Sequence, residues 1–199
     1  MANMSYGAAA TSSYLDLSRK GQIYMAQAIV TAPVAYTTAA GTGGPLLWNG
    51  TGGVTAGTYN AQVDAVILGV SYAVTTASGA AVSLGLTGGA GQTSAPTATT
   101  AIDGITNTRI IQSNIGPLGA GNTCSVYRVG TVATAGNWFF PLGTLSTVAI
   151  TAQPDVDNYV DLAGMFVVPP NSWIAVSASA VATSAVLQIG LVWAEIPRR

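Results

Sequence analysis

Short runs in which apolar residues alternate with small or polar ones constrain the fold of this chain more than any other feature. The clearest runs are Tyr59–Val74, Tyr159–Val168 and Ala185–Ile196. Successive side chains of a β-strand point to opposite faces, so a period of two predicts strands. Turns rich in glycine, proline, serine and threonine separate the runs, and no long stretch has a helical period. The sequence therefore predicts an all-β protein.

The same pattern predicts shorter strands elsewhere, at Gly21–Ala32, Pro45–Asn49, Ala80–Leu86, Asn122–Ala133, Trp138–Leu142, Leu145–Thr151 and Trp173–Val181. Eight or nine strands of this length predict a jelly-roll-like β-sandwich of about eight strands, with two four-stranded sheets. An immunoglobulin-type sandwich is the alternative, but its Cys–Trp–Cys pattern is absent. We expect Ala80–Leu86 to form a hairpin with Tyr59–Val74, Gly88–Thr100 to be a loop, and Ile102–Asn114 to be a short helix or an irregular crossing segment.

Strict alternation assigns the residues of Tyr59–Val74 to two faces. One face carries Val66, Leu68, Val70 and Tyr72, and the other carries Val63, Ala65, Ile67 and Gly69. Both faces are apolar, so we expect both to be covered, the outer one by a neighbouring molecule.

The first twenty residues differ from the rest, because they show no alternation. We interpret residues 1–20 as an extended N-terminal arm and residues 21–199 as a single β-sandwich domain. The arm's apolar anchors and basic residues are candidates for binding a partner: Tyr6, Tyr14, Leu15, Leu17, Arg19 and Lys20. The alternative is a frayed tail.

Charge is scarce along the whole chain. Only 7% of the 199 residues are charged, against about 25% in an ordinary soluble domain. Six Lys and Arg balance seven Asp and Glu, which leaves no basic excess to bind a nucleic-acid backbone. So uncharged a surface indicates that other chains cover much of it. The alternative is a monomer that serine, threonine and asparagine keep soluble.

The absence of histidine and the single cysteine exclude several kinds of catalysis. Histidine zinc sites, Ser–His–Asp triads and Cys–His dyads all need residues that the chain lacks. We expect Cys124 to be a small buried apolar residue, not a reactive thiol. The acids needed for glycoside hydrolysis are scattered along the sequence, at Asp64, Asp103, Asp161 and Glu195. The sequence therefore predicts no enzyme and no cofactor.

Two charged motifs are candidate binding sites. Asp155, Asp157 and Asp161 partly match a calcium loop, but the glycine and the terminal glutamate of that loop are missing, so a solvated turn is the stronger interpretation. Arg198-Arg199 could bind an acidic protein surface or form a solvated tail. No metal is expected.

Membrane insertion and sugar binding are not favoured either. The uncharged stretch Ser172–Ala194 contains too many hydroxyl and amide residues, and alternates too regularly, to be a membrane-spanning helix. The N-terminus lacks the pattern of a signal peptide, which predicts a protein made in a cytoplasm. The four tryptophans lie in or beside apolar strands, which favours core packing over a sugar-binding platform.

Two stretches near the C-terminus carry a resemblance to a known family. They are Phe166–Val176, which runs from a strand through a Pro-Pro turn into a strand of small residues, and Val192–Pro197, a closing Trp-x-Glu-Ile-Pro strand. Over residues 45–197 the chain resembles the small, histidine-poor jelly-roll proteins that decorate the heads of tailed bacteriophages.

That resemblance implies a capsid decoration (cement) protein. Such a protein is a non-enzymatic part of the virion, made in the host cytoplasm, and a homotrimer on the capsid surface that bridges copies of the major capsid protein. Two alternatives remain: a tail, fibre or head-spike protein that binds host glycans, which exposed aromatics would favour, and a jelly-roll coat subunit, which a basic arm would favour. A bacterial lectin-like module ranks third.

Overall fold

The computed structural model describes residues 13–31, 45–50, 63–76, 81–93, 96–101, 111–112, 124–132, 136, 138–146, 158–179 and 186–198. A helix of seven residues, α1, covers residues 13–19. Within these described ranges eleven strands follow it: β1 (Ile23–Thr31), β2 (Leu46–Asn49), β3 (Val63–Thr76), β4 (Ala81–Ala90), β5 (Thr97–Ala101), β6 (Ile111–Gln112), β7 (Ser125–Thr131), β8 (Phe139–Ser146), β9 (Asn158–Val168), β10 (Ser172–Ala178) and β11 (Val186–Pro197).

The strands form two antiparallel sheets. The first sheet has the order β6-β1-β11-β3-β9, and the second has the order β5-β7-β2-β10-β4-β8. Eight strands pair in a nested pattern, β1 with β11, β2 with β10, β3 with β9 and β4 with β8. The chain therefore runs as one long hairpin that folds over itself, so that successive pairs alternate between the sheets. This is the topology of a jelly roll, and it confirms the predicted fold class.

The remaining three strands lie between β4 and β8 in the sequence and widen the sandwich. β6 pairs with β1 at one edge of the first sheet, while β7 and then β5 extend the second sheet beyond β2. The predicted loop Gly88–Thr100 is therefore wrong in part, since β4 continues to Ala90 and Thr97–Ala101 is a strand. Of the ambiguous stretch Ile102–Asn114, only residues 111–112 are described.

The core between the sheets contains every second side chain of the last two strands, as the period of two requires. Leu187, Ile189, Leu191 and Trp193 of β11 are fully buried, and they meet Ile174, Val176 and Ala178 of β10. Trp173 is also buried, whereas Trp48 and Trp138 are half-buried at the margins of the core. Each fully buried side chain of the size of leucine or isoleucine contributes about 1.5–3 kcal/mol to folding.

The predicted hairpin between the third and fourth strands is wrong. Although β3 and β4 are consecutive in the sequence, they belong to opposite sheets, and β4 pairs with β8 and β10 instead. The two short strands predicted at Trp138–Leu142 and Leu145–Thr151 are a single strand, Phe139–Ser146. A register shift opposite Leu84 and Gly85 accommodates the extra residue Leu142, next to Pro141.

Strict alternation also fails in the middle of β3. Against β11, the register moves from Val192 opposite Gly69 to Trp193 opposite Ile67, so Leu68 is an additional residue in β3. This β-bulge shifts the side-chain pattern by one position. Consequently Val63, Ala65 and Ile67 share the inner face with Val70 and Tyr72, while Val66 and Leu68 lie on the outer face.

The Pro-Pro turn is closed by two asparagines. Asn171 has a φ of 62°, a left-handed conformation that asparagine tolerates, and its backbone N–H donates to the carbonyl of Asn49 at 2.7 Å. The buried Nδ2 of Asn49 donates to the carbonyls of Val63 and Val168, each at 2.8 Å. The end of β9 is thereby fixed to β2 and β3.

Candidate interaction surface

Helix α1 replaces part of the predicted extended arm. Tyr14 and Leu17 are three residues apart and so lie on one side of a helix. The helix ends in a Schellman motif, in which Gly21 N–H donates to Ser18 O and Gln22 N–H donates to Leu17 O, both at 2.9 Å. Gly21 has a φ of 65°, which that motif requires. The expectation of an extended chain is therefore wrong for residues 13–19.

The helix packs on the outer face of the first sheet. Tyr14 and Leu17 contact a small apolar cluster formed by Ile23, Leu68 and Ala194, with Val66, Val192 and Ile196 at its margin. The apolar outer face of β3 is thus covered by the chain itself at this end. There the helix of the same chain takes the place of the neighbouring molecule that the sequence predicts.

The other residues of the predicted arm remain on the surface. Leu15 is 50% exposed, and Arg19 and Lys20 are exposed beside it. The Lys20 ammonium, one residue beyond the helix, lies 3.9 Å from the carboxylate of Asp16, and the pair is exposed. Tyr6 lies outside the described residues. Of the predicted partner-binding set, Leu15, Arg19 and Lys20 are available to a partner, while Tyr14 and Leu17 hold α1 on its sheet.

Tyr14 lies near the charged Asp161 of β9. Burial raises the pKa of Tyr14, and the carboxylate of Asp161 adds to the shift. Burial likewise raises the pKa of Tyr159, with Asp161 and Tyr14 as further causes. These three side chains therefore share one corner of the outer face, between α1 and β9.

Asp161 has a local structural role at this corner. Its Oδ1 accepts the Ala163 N–H at 2.9 Å, and Ala163 and Gly164 have φ values of 48° and 79°. β9 bulges opposite Leu68. Asp161 pairs with Gly69 and the next pair is Phe166 with Ile67, so residues 162–165 of β9 lie opposite the single residue Leu68. Among the described residues no cluster of acidic residues and cysteine could hold a metal ion. Asp155 and Asp157 lie outside them.

The bulge leaves apolar side chains on an edge strand. Within the described residues β9 pairs only with β3, so one side of β9 has no partner strand. Met165 and Val167 are 64% and 54% exposed. An exposed apolar edge strand favours association with another chain unless something covers it. We call Met165, Val167 and the adjoining Pro169 the β9 edge surface.

An aromatic depression adjoins the β9 edge surface. Trp138 stacks on Phe166 with 5.3 Å between the ring centroids and 3° between the planes, and Phe140 meets Phe166 edge-on. The depression has a volume of about 280 Å³, and Gly89, Val167, Pro169 and Trp173 also line it. Sequence reasoning missed this site, because Trp138 and Phe166 are far apart in the sequence and meet only through the sandwich.

The buried Glu195 cluster lies on the inner side of the same sheet. Glu195 Oε1 accepts the Cys124 N–H at 3.0 Å and the Trp193 Nε1–H at 3.2 Å. Tyr24 stacks on Trp193 with their centroids 5.8 Å apart. Burial, reinforced by Glu195, raises the pKa of the Cys124 thiol well above its usual range. Cys124 is therefore a buried residue, as expected, and its thiol stays protonated.

Arg198 pairs within the chain. Its Nε and Nη2 both lie 2.8 Å from Asp64 Oδ1, which fastens the end of β11 to the start of β3. This guanidinium, proposed from the sequence to bind an acidic partner or remain solvated, is thus held by an acid of its own chain. Arg199 lies outside the described residues.

Comparisons with known proteins do not identify a function for this chain, so its function is inferred from the geometry. No protein-family model, no curated protein and no solved structure matches the chain. No helix in the described part of the chain is long and apolar enough to span a membrane.

Proposed function

We propose that this protein is a non-enzymatic structural component of a virion. In this proposal it decorates and stabilises the capsid of a tailed bacteriophage as a homotrimer. The fold supports this assignment, since jelly rolls are recurrent in viral capsid proteins, lectins and cupins. The chain has no histidine, the commonest protein metal ligand, which disfavours the metal chemistry of a cupin.

The observation that carries the proposal is the β9 edge surface. Met165 and Val167 are more than half exposed on an edge strand, beside a depression lined by Trp138 and Phe166. Burying these side chains against a second copy would remove apolar area from water and cover an open strand edge. A contact of this kind that closes around a threefold axis ends in a ring and does not grow into a fibre.

Scarce charge supports self-association. Of the described charges, Asp16 pairs with Lys20, Asp64 pairs with Arg198, and Glu195 is buried. Few charges remain that would repel a sister subunit. In this proposal the exposed side of α1, with Leu15 and Arg19 and with Lys20 just beyond the helix, binds the major capsid protein, while Tyr14 and Leu17 hold the helix in place.

Sedimentation equilibrium tests the trimer. We expect a mass near three times 19.9 kDa, and we expect Val167→Asp to weaken association at least about tenfold, which corresponds to about 1.4 kcal/mol. Ile29→Asp is the matched control, because Ile29 is 46% exposed on the same face near the opposite edge. A wild-type monomer at every concentration, or equal effects of both substitutions, would overturn the proposal.

Binding to phage heads tests the capsid role. Purified trimer is mixed with expanded, DNA-free heads of the phage that encodes it, and bound protein is separated by sedimentation. We expect saturable binding, and we expect the double variant Arg19→Glu, Lys20→Glu to bind more weakly while it stays trimeric. If wild-type protein remains in the supernatant at saturating concentration, the decoration role is wrong.

A further inference from the structure

The open half of the first sheet's outer face carries a row of residues that spans four strands. Gln27 of β1 lies opposite Gly190 of β11, Gly190 lies opposite Ser71 of β3, and Ser71 lies opposite Tyr159 of β9. Gln27, Gly190 and Ser71 are on the outer face, since their neighbours along each strand belong to the core, and Tyr159 lies on that face because it is opposite Ser71. Residues distant in sequence thus form one lateral line.

Gly190 makes this line concave. It has no side chain between Gln27 and Ser71, and a Cβ at this position would collide with Ser71 Oγ. Gln188 and Ala73, which lie opposite each other in the next row, also line the concave region. The resulting open depression has a volume of about 360 Å³ and is also lined by Asn158. That volume lies at the small end of the range of about 300–1,000 Å³ for small-molecule sites.

Tyr159 forms an aromatic wall at the end of the line. The phenol end of its ring lies over Gly69, where any side chain would displace it. Gly69 follows the bulge residue Leu68, so the bulge and the missing side chain together make room for the ring. Tyr159 is nevertheless 60% exposed and is available to a ligand. Such a ring offers an apolar face together with a hydroxyl group.

The chemistry of the lining selects the class of ligand. Gln27, Gln188 and Asn158 each present a carboxamide that both donates and accepts hydrogen bonds, and Ser71 adds a hydroxyl. Among the described residues that line the depression there is neither Lys nor Arg, the cations that bind phosphate or carboxylate groups. An apolar ligand would leave the carboxamides without partners in a desolvated site.

We propose that this depression binds a neutral carbohydrate, with one or two sugar rings seated between the carboxamides and the ring of Tyr159. Vicinal hydroxyls of a sugar match carboxamides, and the C–H face of a sugar ring packs on an aromatic ring. The proposal does not depend on the capsid role, because the site lies at the opposite end of β9 from Val167.

Saturation-transfer NMR with a panel of neutral sugars tests the proposal. The panel contains glucose, galactose, N-acetylglucosamine, maltose, lactose and cellobiose, each at about 10 mM, a level suited to a weak site with Kd near 1 mM. We expect transfer from the protein to at least one of these sugars and little or none to glucose 6-phosphate or inorganic phosphate. If none of the neutral sugars responds, the proposal fails.

Variants locate the binding. Tyr159→Ala and Gln188→Ala should each weaken binding of the responding sugar at least about tenfold, and Leu15→Ala on α1 should leave it unchanged. Circular dichroism and the sedimentation mass verify that each variant is folded and assembled. Equal binding by Tyr159→Ala would show that the sugar lies elsewhere. If Gln188→Ala instead dissociates the oligomer and no sugar binds, the depression is a contact between copies and the proposal is wrong.

Discussion

The outer face of the first sheet has two halves, and they are made differently. At one end the chain covers its own sheet, since Tyr14 and Leu17 of α1 pack over Ile23, Leu68 and Ala194. At the other end the face is open and polar, from Gln27 through Ser71 to Tyr159. Strands β1, β3 and β11 contribute to both halves, and β9 adds Tyr159 to the open one. A sheet face can therefore be closed by its own chain over one half and remain available for binding over the other.

An apolar outer face on a strand does not by itself indicate contact with a neighbouring molecule, as β3 shows. Val66 and Leu68 are apolar on the outer face because α1 covers them. The candidates for contact between molecules are the exposed apolar residues outside α1's footprint, above all Met165 and Val167.

The largest expected effect comes from placing a charge under α1. Leu68 is 7% exposed, so Leu68→Asp buries a carboxylate without a partner and should destabilise the fold by about 3–5 kcal/mol. Ser71→Asp is the matched control, three residues along the same strand on the open half, and should change stability by less than about 0.5 kcal/mol. Urea denaturation measures both. Similar losses would mean that the two halves do not differ in burial.

The second prediction concerns the inner side of the covered half. An unfolded cysteine ionises near pH 8.5, whereas burial and the neighbouring Glu195 raise the pKa of Cys124 in the folded protein. Above about pH 8.5 the unfolded state therefore holds fewer protons than the folded state, and stability should fall by about 1.4 kcal/mol per pH unit. Below that pH this contribution is constant.

Urea denaturation at several pH values between 8 and 10 checks this slope. Cys124→Ala should remove the slope over that interval. The pKa of the nearby Tyr24 is raised by burial as well, so its effect begins only above about pH 10. An unchanged slope in Cys124→Ala, or rapid reaction of the wild-type thiol with a disulfide reagent at pH 8, would contradict the assignment.

The sequence predicts where most strands lie, but it does not predict which strands pair with each other. Alternation located β9, β10 and β11 nearly to their ends, because every second side chain of each strand faces the core. Alternation does not indicate which sheet a strand joins, so the sequence predicts β3 as the partner of β4, whereas its partners are β8 and β10. Only the nested pairing of the whole chain fixes that choice.

Helix α1 could have been predicted from the sequence. Tyr14 and Leu17 three residues apart, Asp16 and Lys20 four residues apart, and Gly21 just beyond are helix signals over a single short stretch. The polar row could not be predicted from the sequence, because only the register of four strands that are distant in sequence brings Gln27, Gly190, Ser71 and Tyr159 together.

The third prediction compares two leucines on the same helix. Leu17 contacts the sheet, whereas Leu15 is half exposed. Leu17→Ala should destabilise the protein by about 1–2 kcal/mol, less than a fully buried leucine because Leu17 is only partly buried. Leu15→Ala should cost less than about 0.5 kcal/mol. Urea denaturation measures both, and equal costs would mean that α1 does not pack on the sheet in solution.

The smallest effect is expected at the rim of the covered half, where Arg198 holds Asp64 with two nitrogens on one carboxylate oxygen at 2.8 Å. Both side chains are partly exposed, so Arg198→Ala should cost about 0.2–1 kcal/mol. The loss should shrink near 1 M salt, where the screening length is about 3 Å. Lys20→Ala breaks the more exposed pair with Asp16, 3.9 Å apart, and should cost less at every salt concentration. A loss at Arg198 that does not change with salt would indicate that the side chain stabilises this rim by packing, and that its charge contributes little.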